Sequence, residues 1–229
     1  DRYLITEEVD LKDLSNEVSI LFVCGPAASE AIRPFVADLP DQTTLANCLI
    51  DCAGQTMTVA CWDLWNLPGW MLMGERSGLV SLAEQLLKSG AVIAGDDVAE
   101  SLRISAMIPR FAVDVSDDHL AQEANRTRQA ISFVKGCYLG QEPIARLDAL
   151  GHVNRQLERL SYESPVPLPS GTPVRGPSGE EFGQISSSCI IPGTKKGIAL
   201  AMLKVSAGQA KGLIATPEDG QEVVLTLEV

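Results

Sequence analysis

No apolar run in the chain approaches the ~20 residues that a bilayer-spanning helix needs, so a helical membrane protein is excluded and a soluble one is expected. Residues 1–8 show neither the basic start nor the apolar stretch of a secretory signal, and the chain does not open on methionine, so a fragment or processed form is expected. No Cys-x-x-Cys pair occurs, and six cysteines in 229 residues are too sparse for a disulfide scaffold. A reducing compartment follows, the cytoplasm of a bacterium or the mitochondrial matrix of a eukaryote. His119 and His152 are the only imidazoles. Cys48 and Cys52 would share a helix face if that stretch is helical, but a metal site needs further donors, so they read as small buried hydrophobes and no metal is expected. Cations are scarce as well. Against 30 Asp and Glu stand 18 Lys and Arg, a net charge of −12 that disfavours a surface made to hold nucleic acid.

What charge there is falls unevenly. Residues 1–125 carry seven basic and twenty acidic side chains, residues 126–159 six and three, and residues 160–229 five and seven. One window of +3 therefore lies in an acidic protein, either by sampling or as a local site for an anionic ligand. Valines and aliphatics from 18 to 23 ending at Gly25-Pro26 predict a strand and turn, with a helix over 27–36. Period-two alternation over 56–62 and the apolar run 70–73 after Pro68-Gly69 predict two strands of one sheet. Leu79, Leu82, Leu86 and Leu87 give 77–88 a helical stripe closed by Gly90, and 96–105 reads as a further helix. From about 155 onward prolines and glycines punctuate short strands, 198–203 and 223–229 among them, as in a small β-barrel or sandwich. The reading is α+β in two domains, 1–155 and 156–229.

Within the basic window, Lys135-Gly136-Cys137-Tyr138-Leu139-Gly140-Gln141-Glu142 stands out. Two glycines four residues apart frame a cysteine and a tyrosine, and glycine lets backbone approach a ligand or take positive φ. A cation two positions from Cys137 favours a thiolate if the loop brings the two together; otherwise Cys137 is a packed thiol. Gln141 and Glu142 offer amide and carboxylate groups suited to a heterocycle's donors and acceptors.

The Lys-Gly-Cys-Tyr-x-Gly-Gln-Glu block, followed by Arg146, resembles the signature of the YgfZ branch of folate-binding proteins, similar in fold to the T-protein aminomethyltransferase of glycine cleavage. The segments 102–111 (Leu-Arg-Ile-Ser-Ala-Met-Ile-Pro-Arg-Phe), Gln122-Glu123-Ala124 and 182–187 are similar to the same family. The resemblance implies an aminomethyltransferase-like folate-binding domain, partial because relatives carry a further N-terminal subdomain, followed by a C-terminal β-barrel. It implies tetrahydrofolate or a derivative as cofactor, with Glu123 on the pterin edge and Arg146 on a carboxylate or other polar group. Lys135, Tyr138, Gly140, Gln141 and Glu142 would shape the loop, and Cys137 would be the reactive thiol. Phe111 stands where the family usually has Tyr, which removes a hydroxyl contact to folate. Arg126 and Arg128 either meet folate's glutamate tail or are solvated helix residues. The implied role is auxiliary to iron–sulfur cluster assembly or repair and indirectly linked to tRNA modification, by a monomer whose partners are folate and iron–sulfur assembly proteins. The alternatives are a folate-dependent aminomethyl or methyl transferase and a non-catalytic interaction protein. True T-proteins commonly place an acidic residue at position 137, which disfavours aminomethyl transfer.

Overall fold

The computed structural model describes residues 8–36, 39–52, 54–218 and 220–228. The charged start of the chain at 1–7 and the last residue of the strand expected over 223–229 lie outside them. The chain divides into two compact units, residues 1–93 and 94–229. The compositional break at 155 coincides with the first barrel strand, whereas the units part between Ile93 and Ala94.

The first unit is a four-stranded antiparallel sheet in the order β1-β4-β3-β2, with β1 Ser19–Cys24, β2 Asn47–Cys52, β3 Gln55–Cys61 and β4 Gly69–Gly74. Helices α1 (Ala28–Ile32) and α2 (Arg76–Lys88) cover one face. Ile32, Leu79, Leu82 and Leu86 pack there on Met57, Val59, Trp70 and Leu72. Complete burial of side chains of this size contributes about 1.5–3 kcal/mol each. The Trp70 indole N–H donates to Ser29 Oγ at 3.0 Å, so the largest core side chain leaves no orphan donor.

One expectation is corrected here, and the condition set for Cys48 and Cys52 is not met. Helix α1 ends at Ile32 rather than 36 because Pro34 has no N–H to continue the ladder. Residues 47–52 form a strand, so Cys48 and Cys52 face the helices as part of a period-two pattern, opposite Val59 and Gln55. No group of three His, Cys, Asp or Glu among the described residues is placed to hold a metal ion.

The second unit opens with α3 (Asp96–Ser105), followed by a 3-10 turn (Ala121–Ala124) and two short helices, α4 (Thr127–Ala130) and α5 (Gln141–Leu150). It closes in a six-stranded barrel, β10-β5-β8-β7-β6-β9, whose strands are β5 Arg155–Glu163, β6 Pro173–Arg175, β7 Glu181–Ile190, β8 Lys196–Lys204, β9 Leu213–Ala215 and β10 Val223–Leu227. Leu160, Tyr162, Val174, Ile185, Ala201 and Leu203 fill its interior. The outer faces of Leu157, Ile198 and Leu200 meet Ile104 of α3, so β8 is buried on both sides and reads as an unbroken apolar run. Backbones approach closely at Gly183, where a Cβ would lie 2.1 Å from the Met202 carbonyl oxygen at φ 157°.

Candidate functional site

The segment that follows α3 is organised around one buried carboxylate. Asp114 is fully enclosed; its Oδ2 accepts Arg103 Nη1–H and the Arg110 backbone N–H, both at 2.8 Å, and its Oδ1 accepts the Ser186 hydroxyl at 2.5 Å. Ser186 sits at a β-bulge in β7, where the register shifts between Ile185 and Ser187. The extra residue re-aims a side chain that a regular ladder would send elsewhere. Arg103 also grips Glu100 through two bonds of 2.8 and 2.7 Å and donates to the Ile108 carbonyl at 2.5 Å. The Arg103 hydrogen bond holds the Glu100 carboxyl below its usual range, against the opposing effect of burial. This frame fixes the 108–115 turn and leaves Phe111 at its tip, exposed. Met107 and Ala112 take positive φ, 53° and 63°, to make the turn.

The next turn presents Glu123 inward. Its Oε2 accepts the Leu120 N–H at 2.9 Å and its Oε1 pairs with Arg155 Nε at 3.0 Å, while Arg155 Nη2 donates to the Asp118 carbonyl at 2.9 Å. The carboxylate is therefore held on both sides and almost wholly covered. His119 Nδ1 accepts the Ser116 N–H at 2.9 Å, which puts the ring proton of the neutral form on Nε2. Arg126 Nη1 donates to the Ala106 and Met107 carbonyls at 3.3 Å each, satisfying the end of α3. Arg126 is thus engaged with backbone, while Arg128 is exposed and unpaired among the described residues.

The glycine-framed loop reaches α5 through Gly140, whose φ of 88° belongs to the left-handed region that glycine adopts freely. The Gln141 N–H donates to the Tyr138 carbonyl at 3.3 Å, and the Tyr138 N–H donates to Gln141 Oε1 at 3.2 Å, a reciprocal clasp over the turn. Lys135 Nζ lies 4.1 Å from the centre of the Tyr138 ring, a cation–π contact. Gln122 Nε2 donates to the Ile144 carbonyl at 2.9 Å and anchors α5 to the 3-10 turn. Around the clasp, Cys137, Gly136, Glu142 and Arg146 are exposed, as are Phe133, Val134 and Leu139.

Of the residues read from the sequence, Lys135, Tyr138, Gly140 and Gln141 thus form one contact set. Glu123 belongs to another, with Arg155, and no hydrogen bond or ion pair among the described residues joins it to the loop. Phe111, Glu142 and Arg146 are solvent-facing, and their side chains make neither among the described residues. Of the six cations in the basic window, Arg126, Arg155 and Arg159 are engaged with carbonyls or carboxylates, leaving Arg128, Lys135 and Arg146 without an anionic partner among the described residues. Arg155 and Asp114 were not singled out from the sequence, and Gln122 and Ser186 were given no role there; the contacts Gln122–Ile144, Arg155–Glu123 and Ser186–Asp114 span 22 to 72 residues, beyond any local pattern.

No protein-family model matches the chain. A chloroplastic protein of Arabidopsis thaliana is 27% identical over 222 residues, covering 95% of this chain and 50% of its own length. An aminomethyltransferase of Symbiobacterium thermophilum is 25% identical over 207 residues, covering 86% and 54%. The tRNA-modifying protein YgfZ of Colwellia psychrerythraea is 26% identical over 171 residues, covering 74% and 50%. The chain thus spans about half the length of these relatives. The crystal structure of the glycine cleavage system aminomethyltransferase T from Bartonella henselae superposes with a TM-score of 0.76 over 93% of this chain and 58% of that one, at 17% identity. No helix among the described residues is long and apolar enough to cross a membrane. The chain is thus similar in sequence to aminomethyltransferases and to YgfZ, and its fold is that of the glycine cleavage aminomethyltransferase T.

Proposed function

We propose that the chain is a tetrahydrofolate-binding auxiliary protein that supports iron–sulfur cluster assembly or repair, linked indirectly to tRNA modification, with Cys137 as its reactive thiol. The observation that supports it most is the clasped loop itself: an exposed thiol on a turn preorganised by Gly140, Tyr138 and Gln141, in a stretch of chain whose Arg128, Lys135 and Arg146 have no anionic partner among the described residues. Folate ends in carboxylates, and Arg128, Lys135 and Arg146 are the donor chemistry that such an end requires. The pterin edge asks for an ordered acceptor. Glu123 is ordered by Arg155 and Leu120, and each of its oxygens keeps a lone pair beyond the bond it makes. Exposed Phe111 offers a ring face without a hydroxyl. Bound tetrahydrofolate would supply one-carbon chemistry; the chain's own residues orient it and hold the thiol in reach.

Titration calorimetry with tetrahydrofolate tests the reading. Binding is expected, and Arg146→Ala should weaken it about fivefold, the worth of one charge-assisted contact at an exposed site. No heat at millimolar ligand, or an unchanged affinity in Arg146→Ala and Glu123→Gln alike, would overturn the assignment. The relatives' names keep a folate-dependent aminomethyl or methyl transferase as the second reading; release of a one-carbon unit from an aminomethylated donor in the presence of tetrahydrofolate would favour it.

A further inference from the structure

One end of the barrel carries a cleft of about 1350 Å³, lined by the proline-rich segment 164–173, by residues 216–218 and by 221–224 with Thr226. None of the residues assigned to the thiol loop or to the Glu123 turn lines it. We propose that this cleft docks an extended, basic peptide segment of a partner protein.

Size argues for a peptide. The cavity exceeds the roughly 300–1,000 Å³ that small-molecule sites occupy. Its wall is preformed without being a strand. The Ser164 hydroxyl donates to the Val166 carbonyl at 2.7 Å and accepts the Val166 N–H at 3.2 Å, while Tyr162 Oη accepts the Leu168 N–H at 3.1 Å. Ser188 Oγ donates to the Leu168 carbonyl at 2.6 Å, and Thr172 Oγ1 donates to the Pro169 carbonyl at 2.7 Å. Prolines at 165, 167 and 169 fix φ between these anchors. A wall so constrained loses little freedom when something binds. It is apolar and open: Val166 is 63% exposed and Val224 72%.

Charge selects the occupant. Both cations of the cleft are already neutralised, Lys196 by Glu228 at 2.7 Å and Arg175 by Glu181 at 3.4 Å. Glu163, Glu218 and Glu222 line the same cleft and have no ion pair among the described residues. The field at the groove is therefore anionic, which repels nucleic acid and acidic peptides. A second copy of this chain, at net charge −12, is disfavoured on the same ground. An apolar groove edged by free carboxylates matches a segment that alternates aliphatic with Lys or Arg side chains.

Fluorescence anisotropy with a fluorescein-labelled decapeptide of alternating lysine and valine tests the proposal, with the glutamate-for-lysine peptide as control. The lysine peptide should bind, more weakly as salt rises, and the control should not. The exposed pair Glu218→Lys with Glu222→Lys should weaken binding about tenfold, and Val224→Asp should weaken it at any salt. Melting curves confirm that each variant folds. Equal binding of the two peptides, unchanged affinity in both variants, or no binding at millimolar peptide would overturn the proposal. Tetrahydrofolate titration of the same variants should be unaffected, so this groove and the folate reading fail separately.

Discussion

Asp114 is the sharpest point at which to perturb the second unit. Its side chain is fully enclosed and accepts three donors, one of them the guanidinium of Arg103, itself only 11% exposed. Removing one partner of a buried ion pair costs about 3–5 kcal/mol because it strands the other. Here Arg103 keeps both bonds to Glu100 and the one to Ile108, so Asp114→Ala should fall at the low end, about 3 kcal/mol. Asp114→Asn separates charge from shape. An amide can keep Oδ1 toward Arg103 and the Arg110 N–H and turn its NH2 to Ser186, whose hydroxyl is then free to donate to the Leu200 carbonyl 3.1 Å away. That variant should lose about 1–2 kcal/mol, the excess of a charge-assisted bond over a neutral one. Native-state hydrogen exchange at the amides of β7 and β8 reads the loss where the bulge is anchored, without assuming that both units unfold together. If Asp114→Ala costs less than about 1 kcal/mol there, or if it and Arg103→Met add without coupling, the reasoning from burial and shared partners is wrong.

Ala112 takes φ 63° without being glycine, so Ala112→Gly should stabilise the second unit by about 1 kcal/mol, measured by urea unfolding followed by circular dichroism. Gly183→Ala should do the reverse and more, because its Cβ would overlap the Met202 carbonyl, and a melting temperature within 2 °C of wild type would contradict the close approach by the ~2–4 °C per kcal/mol scale. Glu158 is half-buried on the barrel face of β5 with no partner among the described residues, and burial pushes its carboxyl above the ordinary value. A raised carboxyl contributes stability below its unfolded value that is lost as pH rises through the folded one, so Glu158→Gln should raise the melting temperature at pH 7 and leave it unchanged near pH 4. Iodoacetamide should label Cys137 before the other cysteines. Cys52, Cys61 and Cys189 are buried, with burial pushing the Cys189 thiol up to about 11, so mass spectrometry showing Cys189 first would contradict the exposure argument.

Much of the architecture was legible in the sequence where local chemistry agrees with packing. Helix α3 begins after Gly95 with Asp96 and Asp97 at its positive end and closes with Arg103 in its last turn, so its bounds could be read directly. Strand β2 was missed although Cys48, Ile50 and Cys52 alternate with exposed Asn47, Leu49 and Asp51, because the stretch carries little of the β-branched and aromatic signal that marks a strand. The thiol loop was visible as a motif, since its contacts span three residues. The partner of Glu123 was not. Arg155 lies 32 residues on and at the start of a barrel strand, and only the closure of the barrel brings the two together. The same holds for Ser186, whose direction depends on a bulge that no side-chain pattern announces.

The contrast between a closed barrel and an open sheet implies that the two units fail differently. In the second unit each barrel strand has a neighbour on both sides, so partial melting exposes few unpaired backbone groups to another molecule. The sheet of the first unit ends in β1 and β2, whose outer edges carry solvent-facing Ile20 and Leu49 and no strand among the described residues. On heating or long storage, association between molecules should begin at those two strands. Lysine at position 20 or 49 is then the change that would prolong shelf life without touching the loop, the barrel or the groove.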